Sequence, residues 1–297
     1  MGDWATLNKT QSTALVVDSG ACLAPSLAEA PWVSVVPMSI EIDEQVLRDG
    51  IDITSQEFYS RLSLPGPLPT SSSPSPGDYL KAFRAVTQPS ILCLTIPARF
   101  SMMGRSARLA VEMLKDEQPE KRVEVLDTGT AAGGFTLVAE GAAAACAAGL
   151  PLEAVSRHAK ALAESVHVIA ALDTMRFLVR SGRVPAIAGR GSDLLHVRPV
   201  FAFTDGDVRR VALVRGTSRA LHTVASTLFA EMGRGAKVKL AAFCGDSSAS
   251  MPALIQALQE LFGPQEVQRL NLTPVIALHT GPGLVGAAAI TDLPLPS

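Results

Sequence analysis

A repeated alternation of short apolar runs with helical patterns constrains this fold more than any other feature. Residues 13–17 form an apolar run that ends at Asp18-Ser19-Gly20, with a helix start near Pro25. Residues 91–96 form another, followed by a helical pattern over 101–114. A third, 123–126, ends at Asp127-Thr128 and leads into a helix over 131–148 that stops at Gly149, with a neighbour over 151–163. Residues 33–42 read as a further extended run closed by the acidic turn Asp43-Glu44, and Thr54-Ser55-Gln56-Glu57 is a capping box opening a helix through Leu62. Strands that alternate with helices predict a parallel sheet covered on both faces. Ligands gather at the carboxyl ends of such strands, where Asp18, Pro97 and Asp127 fall. Capping the next helix is the expected role of Asp18.

The rhythm changes after about residue 165. A strand over 166–172 ends at Asp173-Thr174, and a short helix over 175–179 stops at Ser181-Gly182. Two β-rich runs, 197–203 and 208–214, flank Thr204-Asp205-Gly206-Asp207, a strong hairpin signal. A helix over 217–232, a strand over 238–243 and a helix over 248–261 follow. A buried strand over 275–278 then delivers His279 into the turn His279-Thr280-Gly281-Pro282-Gly283, and a last apolar run reaches Ile290. The expected fold class is α/β with two domains. Residues 12–165 form a parallel-sheet, Rossmann-like domain with a Ser/Pro-rich site loop at 64–75. Residues 166–293 form a second α/β domain with a mixed, largely antiparallel sheet that carries Arg183 and His279.

Composition narrows the function classes. A formal charge of −2 without any Lys/Arg cluster argues against a nucleic-acid partner. The densest cations are Arg176, Arg180 and Arg183, at helical spacing near one helix end. Cys22, Cys93, Cys146 and Cys244 lie far apart, which supports neither a disulfide framework nor a zinc site and suits a reduced cytoplasmic interior. The first residues, with Asp3 and Lys9, lack a signal-peptide core, so export is not expected. The longest apolar region, 131–152, is broken by Gly133, Gly134, Glu140 and Gly149 and reads as a buried helix rather than a membrane span, leaving at most peripheral membrane contact. There is no GxSxG elbow, no Walker loop, no dinucleotide fingerprint and no metal-ligand spacing. No catalytic residue, metal or cofactor is therefore expected.

Three places offer chemistry. Loop 64–75 is dense in Pro, Ser and Thr and ends at Ser75-Pro76-Gly77-Asp78, where serine caps a helix and proline sits at its first position, so an ordered site loop is expected rather than a linker. Arg183, after the helix stop, either meets a carboxylate or phosphate with its planar fork or is a solvated cation at a helix end. His279 and Thr280 present one titratable ring and one hydroxyl, either to a ligand or to their own turn.

In order along the chain, these pieces resemble the DegV family over nearly the whole length. Val16-Val17-Asp18-Ser19 meets the family's opening strand, and Ser71-Ser72-Ser73-Pro74-Ser75-Pro76 meets its Thr-Ser-Gln-Pro-Ser-Pro loop. Asp173-Thr174-Met175, Leu178 and Ser181-Gly182-Arg183 meet its Asp-Thr-Leu segment, and the closing His-Thr-Gly-Pro-Gly matches at 279–283 unchanged. The resemblance implies a binding protein without turnover of its own. It would hold a long-chain fatty acid and present the carboxylate to a separate ATP-dependent fatty acid kinase subunit, which makes acyl phosphate. It further implies carboxylate contacts at Ser71, Arg183, His279 and Thr280, a site loop including Thr70, Ser72, Pro97, Ala98 and Ser101, and a tail pocket with Phe100, Met102 and Met103.

One segment departs from the family. Its Ile-Ser-Ser-x-x-Ser-Gly-Thr pattern reads here Ile96-Pro97-Ala98-Arg99-Phe100-Ser101-Met102-Met103, so the serine expected at the carboxylate becomes Pro97, which has neither hydroxyl nor backbone N–H. Two alternatives follow. One is a free-standing enzyme acting on a small anionic substrate, with His279 as acid or base and Asp18, Asp127 and Asp173 as candidate partners. The other is a divergent paralogue that binds another lipid.

Overall fold

The computed structural model describes residues 11–62, 64, 67–183, 197–204, 206–245 and 248–296. Most of the expected polar lead over 1–11, Asp205 of the hairpin and positions 65 and 66 of the serine loop lie outside the described residues.

The strand β1 (Thr13–Asp18) is buried along its whole length, as its unbroken apolar sequence requires of a strand covered on both faces. A short helix, α1 (Pro25–Ala28), leads to β2 (Val33–Val36). The single extended run expected over 33–42 is broken at Pro37, which has no N–H for a ladder. Beyond it the chain forms a hairpin of β3 (Ser39–Ile42) and β4 (Gln45–Arg48). Asp43 and Glu44 both take positive φ, of 51° and 64°, the geometry of a tight two-residue hairpin turn. The helix α2 (Ser55–Leu62) opens on the capping box: Thr54 N donates to Glu57 at 2.9 Å and Glu57 N donates back to Thr54 Oγ1 at 3.3 Å. The serine loop then contributes β5 (Thr70–Ser72), which pairs antiparallel with β3 and makes a three-stranded sheet.

Next come α3 (Pro76–Ala85), β6 (Ser90–Thr95), α4 (Met103–Glu117), β7 (Arg122–Asp127), α5 (Gly133–Ala147) and α6 (Leu152–Ser165). Strands β2, β1, β6 and β7, in that order, form an all-parallel sheet. Its inner residues face two ways. Val16, Ile91 and Cys93 pack on α3 and α4, whereas Leu15, Val17, Leu92 and Leu94 pack on α5 and α6.

The remaining elements are β8 (His167–Ala171), α7 (Arg176–Ser181), β9 (Val197–Thr204), β10 (Asp207–Arg215), α8 (Thr217–Met232), β11 (Val238–Cys244), α9 (Met251–Phe262), β12 (Val267–Asn271), α10 (Pro274–Thr280) and β13 (Val285–Thr291). They build a six-stranded sheet in the order β10-β9-β8-β13-β11-β12, antiparallel except for the β11–β12 pair. One face is covered by α8 and α9. The other turns to α5, so α5 and α6 are a helical layer between two sheets. That position explains the alanine-rich α5: a helix flanked by sheets is apolar around most of its circumference. Among the described residues, no helix is long and apolar enough to cross a membrane.

The end of the chain corrects the sequence reading. Residues 275–278, expected as a strand, belong to the helix α10. Thr273 is extended and Pro274 occupies the first helical position, where its missing N–H costs nothing. Val275, Ala277 and Leu278 are then buried in the core under α2 and α3. A short apolar run rich in β-branched residues cannot be told from a helix by periodicity.

Candidate functional site

Between α10, the serine strand β5 and the inner face of the six-stranded sheet lies a cavity of about 190 Å³. Its walls are apolar: Leu172, Leu178, Phe201, Phe203, Phe243 and Leu284 are among them. Polar groups gather from β5, α7 and α10: Ser71, Ser72, Ser73, Ser181, Arg183, His279 and Thr280. Among the described residues, Arg183 is the only fully ionised group in the lining, and no carboxylate lines it.

His279 stands on the last turn of α10, and Gly281 ends the helix directly behind it with φ 80° and ψ 172°. Ser71 reaches it from β5, whose alternation turns Ser71 inward and leaves Thr70 and Ser72 exposed. Ser71 Oγ and His279 Nε2 are 3.0 Å apart. His279 Nδ1 is buried without a partner. An orphaned N–H is rarer in proteins than an orphaned acceptor, so the better tautomer carries its proton on Nε2 and donates to Ser71 Oγ. The serine hydroxyl hydrogen is then free to donate into the cavity. A general base needs the reverse arrangement, with the lone pair on Nε2 and an acceptor holding Nδ1–H.

Burial, and after it the nearby Arg183 charge, hold the His279 ring down to a pKa of about 4, so it is neutral near pH 7. Arg183 donates through Nη1 to Ser181 O at 2.7 Å, and Gly182 takes a left-handed φ of 68° to stop α7 beneath it. The resulting corner has a fixed positive charge, a neutral imidazole and several hydroxyls, which suits an anion and disfavours a cation.

Because the folded pKa lies below the unfolded value of 6.5, the unfolded chain binds more protons between these values, and the contribution of His279 is lost as pH falls from 6.5 towards 4. Between pH 7 and pH 5 this amounts to about 2 kcal/mol. Asp18 works in the opposite direction. Burial pushes its carboxyl up to about 7 against the N–H donors of Ile96 and Gly20, so its contribution is greatest at low pH and falls as pH rises through 3.8 to 7. Urea unfolding of ligand-free protein and of His279→Gln at both pH values isolates the histidine. The variant should lose about 2 kcal/mol less than the parent on acidification, and equal losses would contradict a buried neutral ring.

The cavity brings together Ser71, Ser72, Phe100, Ser101, Met103, Arg183, His279 and Thr280. Ser101 Oγ is 2.7 Å from Ser73 Oγ and accepts from Met103 N at 3.3 Å, so it ties the serine strand to the start of α4. Thr280 donates its hydroxyl to Ile276 O at 2.7 Å, within its own helix.

Four expected positions fall elsewhere. Thr70 points outward and donates to Glu41 at 3.3 Å. Met102 precedes the buried Met103 at the α4 start and is 52% exposed. Pro97 and Ala98 turn away because Phe100 N donates to Pro97 O at 2.9 Å, closing a turn that sends Phe100 and Ser101 inward. Ala98 N is held by Asp127 Oδ2 at 2.8 Å, and both residues line a separate open cavity. The three aspartates do not converge on His279 either. Asp18 caps the turn after β1 by accepting from Gly20 N, Asp127 binds Ala98 N and Gly129 N, and Asp173 pairs with Arg198.

Sequence reading missed the walls. Phe201 and Phe203 face one way on β9, and Phe243 lies across Gly286. Two phenylalanines at i and i+2 in a chain with few aromatics were the available signal.

Comparison with known proteins agrees with this architecture. A DegV domain-containing protein of Deinococcus radiodurans is 26% identical over 281 residues, covering 93% of this chain and 98% of that one. A structure of a DegV family protein of Thermus thermophilus, described for fatty acid binding, matches with a TM-score of 0.84 at 29% identity, covering 94% of this chain and 99% of the other. The Streptococcus pneumoniae Fatty Acid Kinase (Fak) B3 protein, loaded with linoleic acid, shares the fold with a TM-score of 0.85 at 22% identity, over 95% of this chain and all of the other. A family model described as an uncharacterised protein, DegV family COG1307, matches residues 12–292, and the chain belongs to the DegV family.

Proposed function

We propose that this protein holds a long-chain fatty acid and presents its carboxylate to a separate ATP-dependent fatty acid kinase subunit, without catalytic turnover of its own. The observation that carries this reading is the apolar cavity whose polar groups, led by Arg183, neutral His279 and Ser71, collect at one corner. A carboxylate there meets the Arg183 fork and the Ser71 hydroxyl, while His279 orients the serine. An acyl tail meets Leu, Ala and Phe side chains, which is what a buried hydrocarbon requires. The Thermus thermophilus neighbour is described for fatty acid binding, and the Streptococcus pneumoniae neighbour is named a fatty acid kinase protein; both support the reading.

In this reading residues 12–165 and 166–293 are two units that each supply part of the cavity wall. Four cysteines, all buried and far apart in sequence, suit a reducing, cytoplasmic compartment. The enzyme alternative finds little support, because His279 lacks an acceptor on Nδ1 and no carboxylate faces it among the described residues. Delipidated protein titrated with palmitate, stearate or oleate should bind saturably with one acid per chain. With a fatty acid kinase subunit and ATP, the loaded protein should yield acyl phosphate. Absence of saturable binding for every long-chain acid defeats the proposal, and binding without acyl phosphate defeats its kinase half.

A further inference from the structure

The cavity runs along the strands of the six-stranded sheet. On β8 and just beyond it, Leu172, Ala170 and Val168 succeed one another along the wall, and Phe201 and Phe203 of β9 stand opposite Ala170 and Val168. The turn after α10 lies at the Leu172 end: Gly283 abuts Asp173, and Val285 pairs with Ala171. The polar corner therefore sits beyond Leu172, and the Val168–Phe203 level is about 13 Å further along the sheet.

At that far level two aromatic rings line the cavity. Phe100, from the turn that departs from the family pattern, meets Phe203 with ring centroids 5.3 Å apart and planes at 40°. Val208, opposite Phe203 on β10, also lines the cavity. Immediately beyond lies the second, open cavity, lined by Pro97, Ala98, Arg99, Asp127, Gly129 and Gly206 among others. Three backbone segments, 97–101, 128–132 and 203–208, have residues on both sides of the partition. They are tied together by Gly206 N donating to Gly129 O at 2.8 Å and by the Arg99–Asp207 ion pair.

We propose that the Phe100–Phe203 pair is the chain-length stop of this protein, fixing the longest acyl chain that the cavity holds. This rests on the fatty-acid reading above and adds to it the residues that set specificity. A methylene beyond the stop has to displace a ring from a packed pair. Without one of the rings, the tail passes into the open cavity.

The test is a length profile measured by titrating delipidated protein with saturated acids from laurate to behenate. The parent should show rising affinity, about fourfold for each added methylene that the cavity covers, and then a sharp fall. Phe203→Ala and Phe100→Ala should move the fall to longer acids. Val208→Phe should move it to shorter ones. Phe203→Leu keeps most of the packing and should give a smaller shift in the same direction as Phe203→Ala, guarding against misfolding as the cause. Lys115→Ala removes only an exposed ion pair with Glu112 on α4, away from both cavities, and should leave the profile unchanged. A fall at the same chain length in the parent and in all the phenylalanine variants would overturn the stop while leaving fatty acid binding intact. A parent that binds no acid of any length would overturn both.

Discussion

Arg183→Ala should weaken retention of a long-chain fatty acid by at least tenfold. The guanidinium lines the polar corner as its only fully ionised group among the described residues. A charge-assisted hydrogen bond is worth about 1.5–3 kcal/mol, which corresponds to roughly ten- to hundredfold in affinity. Arg183→Lys keeps the charge but not the planar two-pronged donor, so its loss should fall between parent and alanine. The arginine also depresses the His279 pKa, second only to burial. Its removal should therefore raise the imidazole pKa in the ligand-free protein, readable in the NMR shift of the ring. A variant that binds as tightly as the parent would show that the carboxylate lies elsewhere. Weaker binding with an unchanged histidine titration would show that the two groups are not neighbours in solution.

Gly281→Ala should cost about 3 kcal/mol of stability and most of the ligand affinity. Glycine is required here on two counts. Its φ of 80° with ψ of 172° belongs to a region that other residues occupy only under strain of about 1–3 kcal/mol. A Cβ would also stand 2.4 Å from the ring of Phe177 on α7, and overpacking of that kind costs about 1–3 kcal/mol. Relief requires α10 and α7 to part, and these two helices carry His279 and lead into Arg183. Urea unfolding and a fatty acid titration on the same sample check both effects. Full stability in the variant would mean that the helix stop tolerates a side chain. Lost stability with parental affinity would mean that α10 and α7 keep their spacing despite the strain.

Much of this architecture was legible in the residues. The parallel sheet followed from apolar runs buried on both faces, and the mixed sheet from the hairpin signal around Gly206. The corner of Ser71, Arg183 and His279 came through the family resemblance, since three positions so far apart in sequence share no local pattern. What stayed hidden had physical reasons. Residues 275–278 are apolar on consecutive positions, so neither period could be read, and Pro274 was the cue that favoured a helix. The strand character of 70–72 depends on pairing with β3, a long-range partner that composition does not reveal. The orientation of residues 97–103 depends on one turn hydrogen bond and one aspartate, which send Pro97 and Ala98 one way and Phe100 the other. The distal wall is likewise an outcome of register: Phe203 meets Phe100 only after two sheets and a helical layer are assembled.

Native mass spectrometry of the protein as purified from cells, followed by solvent extraction of what it carries, tests the central claim most directly. The account predicts one adduct per chain with the mass of a long-chain fatty acid, recovered in the extract and lost from Arg183→Ala. Protein that emerges empty and stays empty after incubation with palmitate, stearate and oleate would contradict it.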